Sequence, residues 1–383
     1  ALCLIGGVLS YNGALDRIDR AFYDTFLPLR QHAAPDDVVI VAIDQDSLDR
    51  LGRWPWSRRV HAQLIDRLTR VGVKAIGFDV LFSERDHTDN RADTQLAQAI
   101  RANGRVALAV AFDRSDRRNR IREFGPIPEL GRAAARLGHV DVEIDSDGFS
   151  RAVYLKLGFG VAAHPTLALA MLSIADPENG KVLPGPGAKS PNPSIDQTAR
   201  ALELIREQRV NVSFAGPPQH ITQVSYVDVL KNDKIAATLR DKFILIGPTA
   251  MDLEHPLLTP VSSQGKGMTG TEFHANVLES LRRGRSIQPI AWPTQMLIIA
   301  CAALLFSVPF RRLRISRAIA LASAVLIGAM LLASAIVLHS WSRWIPPCAT
   351  IVVLLLGAAL WFWRRLEHSS RSLSSERDCF VAM

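Results

Sequence analysis

Three stretches near the end of the chain constrain it more than any other feature. Residues 290–310, 318–338 and 345–363 hold no charged side chain. Each is about the 20 residues that a helix needs to cross the hydrocarbon core of a bilayer. A buried core helix rarely stays uncharged for this long, so the pattern predicts three membrane spans. The opening ALCLIGGVLSY, residues 1–11, is apolar over about half a span. It is expected to be the remainder of a truncated first span. A processed terminus or the tail of a signal peptide is the bland alternative.

Orientation follows from arginine in the short loops. Arg311, Arg312, Arg314 and Arg317 lie between the first two stretches, and the next loop holds only Arg343. Arg364 and Arg365 open the segment after the last stretch. Residues 311–317 and the end of the chain are therefore expected in the cytoplasm, with 340–344 and everything from 12 to 288 on the other side. Nine basic and three acidic residues follow residue 290, a net of +6 out of +8 for the whole chain. The basic balance is thus mostly a topology signal, and nucleic acid is not an expected partner. The four cysteines are Cys3, Cys301 and Cys348 in apolar stretches and Cys379 near the end. The outer region has none, so it can form no disulfide, and no cysteine–histidine zinc spacing occurs. A domain of this size can fold on its hydrophobic core alone.

The outer region alternates in type. DVVIVAID, 37–44, is a β-branched apolar run, which predicts a strand buried on both faces, as in a parallel sheet. Residues 58–71 carry Val60, Leu64, Leu68 and Val71 at helical spacing. Further strands are predicted over 74–82, 105–112, 209–214 and 242–247, with helices over 92–101, 164–175 and 271–281. Strand–helix–strand order implies right-handed crossovers and a parallel core. Residues 139–157 read as two strands joined around Asp147-Gly148, an antiparallel hairpin signal. Residues 177–198, rich in Pro, Gly, Ser and Asn, read as a loop.

Few motifs survive their bland readings. GKGMTG (Gly265, Gly267, Gly270) matches a dinucleotide fingerprint, but no strand leads into it and no acid follows at the right distance. EIDSDG (Glu143, Asp145, Asp147, Gly148) resembles the start of a calcium loop, but its twelfth position is Tyr154. His255, with Asp252 and Glu254, and His274, with Glu272, form no recognised catalytic pattern. Asp44 and Asp79 fall at or near the carboxyl ends of predicted parallel strands, where open sheets place ligands. Ser83, Glu84 and Asp86 follow the second. Helix capping and turn formation would explain these acids equally well. In RWPWSRR, Trp54 and Trp56 flank Pro55 beside Arg53. The rings could lock the following helix to the sheet or form a ligand wall, and Arg53 could stack on a ring or pair with Asp46.

DDVVIVAIDQDSLDRLGRWPWSRRVHAQLIDRL, then GVKAIGFDVLFSERD, LGHVDVEIDSDGFSRAV, FILIGPTA, the TP at 259–260 and GTEFHANVLESLRRG, resemble the CHASE type-two sensor domain in that order. The resemblance covers roughly residues 16–288 and extends to the trailing spans. It implies a bacterial receptor of the inner membrane. Such a receptor has an extracytoplasmic sensor, membrane helices and a cytoplasmic histidine kinase, nucleotide cyclase or similar output, expected beyond residue 383. It transfers no ligand residues.

The expected fold class is α/β, with a mixed, largely parallel sheet flanked by helices, an antiparallel hairpin and an α-helical transmembrane bundle behind. The expected division is 1–11 partial span, 16–288 sensor, 290–363 three spans and 364–383 a signalling helix. Expected partners are the lipid bilayer, an extracytoplasmic ligand or stimulus and a second copy of the chain. The last rests on Leu366, Leu373 and Phe380 recurring every seven residues. No cofactor, metal or catalytic group is expected. The candidate ligand residues are Asp44, Arg53, Trp54, Trp56, Asp79 and Glu84. A membrane-tethered extracytoplasmic enzyme using Asp44, Asp79 and Glu84 is the alternative.

Overall fold

The computed structural model describes residues 2–113, 121–177, 203–262, 266–312 and 316–381. Side chains are described except at 2, 3, 307–312, 316–318 and 368–381. The chain divides into two compact units, Arg30–Ser286 and Ala1–Leu29 with Ile287–Met383.

The second of these begins with α1 (Leu2–Tyr11) and α2 (Asp16–Phe26). The Arg30–Ser286 unit opens with β1 (Val38–Ile43), whose six residues are all buried. Then come α3 (Gln45–Leu51), α4 (Arg58–Val71), β2 (Ala75–Phe78), α5 (Ala92–Asn103), β3 (Val106–Asp113), β4 (Arg122–Phe124), α6 (Pro128–Ala133) and β5 (Arg136–His139). β6 (Ala152–Phe159), β7 (His164–Pro165), α7 (Leu167–Ala175), β8 (Leu204–Asn211) and β9 (Gln223–Ser225) follow. The unit closes with α8 (Tyr226–Lys231), α9 (Asp233–Ala237), β10 (Phe243–Pro248) and α10 (Gly270–Arg282).

The main sheet runs β4-β3-β2-β10-β1-β9, with β5 on β3. Every pairing in it is parallel except β3 with β4, the antiparallel edge hairpin. The fold is therefore the expected mixed, mostly parallel α/β class. Val39, Val41 and Ile43 of β1 alternate into one core with Leu64, Ile65 and Leu68 of α4, Leu96 of α5 and Tyr226 of α8. α7 and α10 pack on the other face. They approach closely because the strands are small there. A Cβ on Gly77 would meet the Met171 side chain, and one on Gly138 would meet the backbone of Leu167.

The hairpin expected over 139–157 is only half present. Its turn forms, with Gly148 at φ +85° and its N–H donated to Asp145 O at 2.9 Å. The segment before it is not a strand. β5 stops at His139 because it belongs to the main sheet, and only a Glu143–Ala152 bridge remains. β6 pairs with β7 and β8 instead, in a separate antiparallel sheet. The loop expected over 177–198 lies almost wholly outside the described residues.

In the other unit, α11 (Trp292–Arg312), α12 (Ser316–Trp341) and α13 (Cys348–Val381) occupy the three apolar stretches. Ile319–Trp341 and Cys348–Glu367 are long and apolar enough to cross a membrane, while Trp292–Phe306 is a shorter apolar helix. Leu304, Leu321, Leu332 and Leu360 are exposed, the arrangement that lipid rather than water accommodates. Ile299, Ala349 and Val353 form the contact core between α11 and α13. Gly6 of α1 lies against Val353, where a Cβ would collide. α13 continues without a break to Val381, but the side chains of Leu373 and Phe380 lie outside the described residues.

Candidate functional site

β1, β10 and β2 lie side by side and end together at Ile43, Pro248 and Phe78. Just past this carboxyl edge is a cavity of about 370 Å³. Trp54, Leu81 and Leu253 supply apolar wall, and Asp79, Glu84 and Arg58 supply charge. The carboxyl edge of a parallel sheet is where open α/β folds bind ligands.

Asp79 follows β2 directly. Its N–H donates to Ile246 O at 2.8 Å, extending the ladder, and its carboxylate accepts from Thr271 Oγ1 at 2.8 Å. Thr271 opens α10 and fits because Gly247 has no side chain to meet it. Glu254 caps the same helix end, accepting from Gly270 N–H at 2.8 Å, and its Oε2 has no partner. Burial, with the nearby charge of Asp79, pushes the Glu254 carboxyl up to about 8. At neutral pH a protonated acid therefore stands beside Asp79. Glu84 is exposed and faces His87 Nε2 at 3.3 Å.

The tryptophan pair divides. Trp56 is 4% exposed and donates its Nε1–H to Gly52 O at 2.8 Å. Its ring lies 5.0 Å from Tyr226 and 5.1 Å, edge to face, from Trp54. Trp54 is half-buried and lines the cavity. Beneath both is His61, fully buried among Phe78, Phe82 and Tyr226. Burial pushes its pKa down to about 3, so the ring is neutral. Burial also holds the Tyr226 hydroxyl protonated. That hydroxyl and His61 Nδ1 share a hydrogen bond of 2.9 Å.

Asp44 does not line the cavity. It caps α3, accepting from Ser47 N at 2.9 Å, Ser47 Oγ at 2.6 Å and Ser225 Oγ at 2.9 Å. Arg53 is exposed and outside the cavity lining. Asp46 pairs with Arg50 at 2.9 Å, one helical turn away, and the guanidinium that stacks on a ring is that of Arg58, 4.9 Å over Phe82. Asp86 caps α4 through Ser57 Oγ and Arg58 N and also accepts from Thr88. Burial would raise its pKa, but these hydrogen bonds outweigh that and hold it well below the usual range.

The remaining motifs are structural. Asp145 and Asp147 bind the buried Arg151 at 2.9 and 2.8 Å. Glu272 accepts the N–H groups of Gln219 and His220 at 2.9 and 3.0 Å. Gly270 begins a helix whose first N–H is taken by Glu254, while Gly265 lies outside the described residues. Sequence reasoning set Glu254 among scattered acids and did not single out Thr271 or Pro248. They stand about 170–190 positions from Asp79, and no local pattern joins them.

An α/β unit in a chain with two apolar helices of membrane-spanning length fits a membrane-anchored sensory module. Residues 1–309 match the CHASE2 domain, and the chain belongs to that family of extracytoplasmic sensory, non-catalytic domains. No curated protein and no solved structure matches it.

Proposed function

We propose that this chain is the extracytoplasmic input and membrane-spanning module of a bacterial signal-transduction receptor. It relays a stimulus to a cytoplasmic output such as a histidine kinase or nucleotide cyclase. The observation that carries this reading is the extent of the family match. It runs through the whole α/β unit and into α11, so sensor and membrane segment form one family module. The ligand seat is the cavity beside Asp79, with Trp54 and Glu84 in its wall. Asp44 and Trp56 hold the surrounding elements rather than touch the ligand, and Arg53 lies outside the seat. Asp79→Asn keeps an acceptor for Thr271 and removes the charge. In a reporter strain with normal expression it should abolish the response, and an unaltered response rules Asp79 out.

The intact module spans the inner membrane four times, with both ends in the cytoplasm, and acts as a homodimer paired along α13. The arginine asymmetry between 311–317 and 340–344 supports this orientation. Alkaline phosphatase fused at Ser342 should be active and at Ser316 silent; the opposite pattern overturns it. Single-cysteine crosslinking along 366–380 should peak at 366, 373 and 380, and a flat profile removes the dimer seam.

A further inference from the structure

A second cavity, of about 610 Å³, lies at the other end of the sheet's carboxyl edge. Asp113 ends β3, and Asp141 lies two residues past β5. Phe112, Ile121, Leu157 and Leu204 form the apolar part of the lining. The volume falls in the ordinary range for small-molecule sites.

Its charges are unevenly matched. Glu143 is held by Arg209 Nε at 2.6 Å, and the Arg206 guanidinium lies 5.8 Å over the Tyr154 ring. Among the described residues, no lysine or arginine forms an ion pair with Asp113 or Asp141. The Asp141 side chain is 24% exposed and accepts from Phe112 N–H, at 3.1 and 3.2 Å to its two oxygens, with its own backbone N–H as a further donor. Behind it stands His139, fully buried and held neutral because burial pushes its pKa down to about 3. His139 Nε2 donates to Tyr154 O at 2.9 Å. Its Nδ1 is therefore a bare acceptor, without a partner, 3.8 Å from Asp141 Oδ2. Asp141 thus faces an acceptor on one side and the carboxylate of Asp113 in the same cavity. Burial above all, with the charge of Asp113 adding to it, pushes Asp141 up to about 6, against the hydrogen bond from Phe112 N–H and the charge of Arg206. Among the described residues the lining sets one guanidinium, that of Arg206, against the carboxylates of Asp113, Asp141 and Glu143, so negative charge is in excess there.

We propose that this cavity binds an organic ammonium ion with an apolar body, the ammonium on Asp141 and Asp113 and the body among Phe112, Leu157 and Leu204. A buried carboxylate gains most from a charge-assisted donor, and the aromatic ring of Phe112 in the lining also suits a cation. The site is separate from the Asp79 cavity.

The probe is phenethylamine, titrated calorimetrically into the whole chain in nanodiscs at pH 7.5, with 3-phenylpropionate as the anion of similar shape. The amine should bind saturably and the acid should not. Asp141→Asn, which keeps an acceptor for Phe112 N–H, should weaken amine binding at least about tenfold. In the unaltered chain, affinity should drop several-fold between pH 7.5 and pH 5, as Asp141 takes up a proton. Absent or unsaturable amine binding overturns the proposal, as does equal binding of the acid or equal affinity in Asp141→Asn. Binding lost in Asp79→Asn but kept in Asp141→Asn places the amine in the first cavity and also overturns it, without touching the sensory role.

Discussion

Replacing Trp56 with alanine should cost the outer unit about 3–5 kcal/mol of stability. The ring is buried against Tyr226, His61 and Trp54, at the point where α4 meets the sheet. Its truncation opens a cavity beside His61, whose Nε2 already lacks a partner. The lost hydrogen bond adds little, because Gly52 is exposed and water can replace the indole N–H. The cost is therefore almost all packing. Trp54→Ala removes a half-buried ring from the cavity wall and should cost only about 1–2 kcal/mol. Pulse proteolysis of the detergent-solubilised chain in urea reads both midpoints. Equal losses for the two variants would show that the division between core and wall is wrong. Trp56 thus answers to the structural reading of the Trp-Pro-Trp stretch, while Trp54 borders the cavity.

What the sequence made legible was local. β1 is buried throughout, and helix Arg58–Val71 has the expected bounds because Ser57 caps its start and Gly72 its end. Short helices escaped notice: α3, α8 and α9 have seven, six and five residues, too few to show a period. The position of β10 between β1 and β2 was not legible either, because a strand's neighbours depend on distant pairing. That insertion builds the candidate site. It brings Pro248 and Leu253 to Trp54 and Asp79, with Thr271 hydrogen-bonded to Asp79. The strand-end rule located Asp44 as well as Asp79, but it cannot tell whether a carboxylate is already committed. Asp44 is committed to two serines and a helix end. Asp79 has one partner side chain and still lines the cavity.

Glu254 makes the stability of the outer unit depend on pH in a direction unusual for a carboxylate. Its folded pKa is raised from 4.5 to about 8, so the native state holds the proton more tightly than the unfolded chain. Stability rises with pH only where the unfolded state binds more protons. Here the native state does, so the contribution is complete below about 4.5 and is lost as pH climbs through about 8. Asp141 acts in the same direction, but only up to about 6. His61 and His139, pushed down to about 3, act in the opposite direction, and their effect ends near the unfolded value of 6.5. Between pH 6.5 and 8 the decline therefore belongs mainly to Glu254. Glu254→Gln keeps an acceptor for Gly270 N–H and can donate toward Asp79, yet carries no charge at any pH. The variant should match the unaltered chain at pH 4.5 and exceed it by about 2–3 kcal/mol at pH 8. That figure is discounted from the full shift because the side chain is only partly buried. Urea midpoints by pulse proteolysis at pH 4.5, 6.5 and 8 give the comparison. Curves that stay parallel across that range would mean that Glu254 is ionised in the folded protein, and that Asp79 does not have a neutral acid beside it.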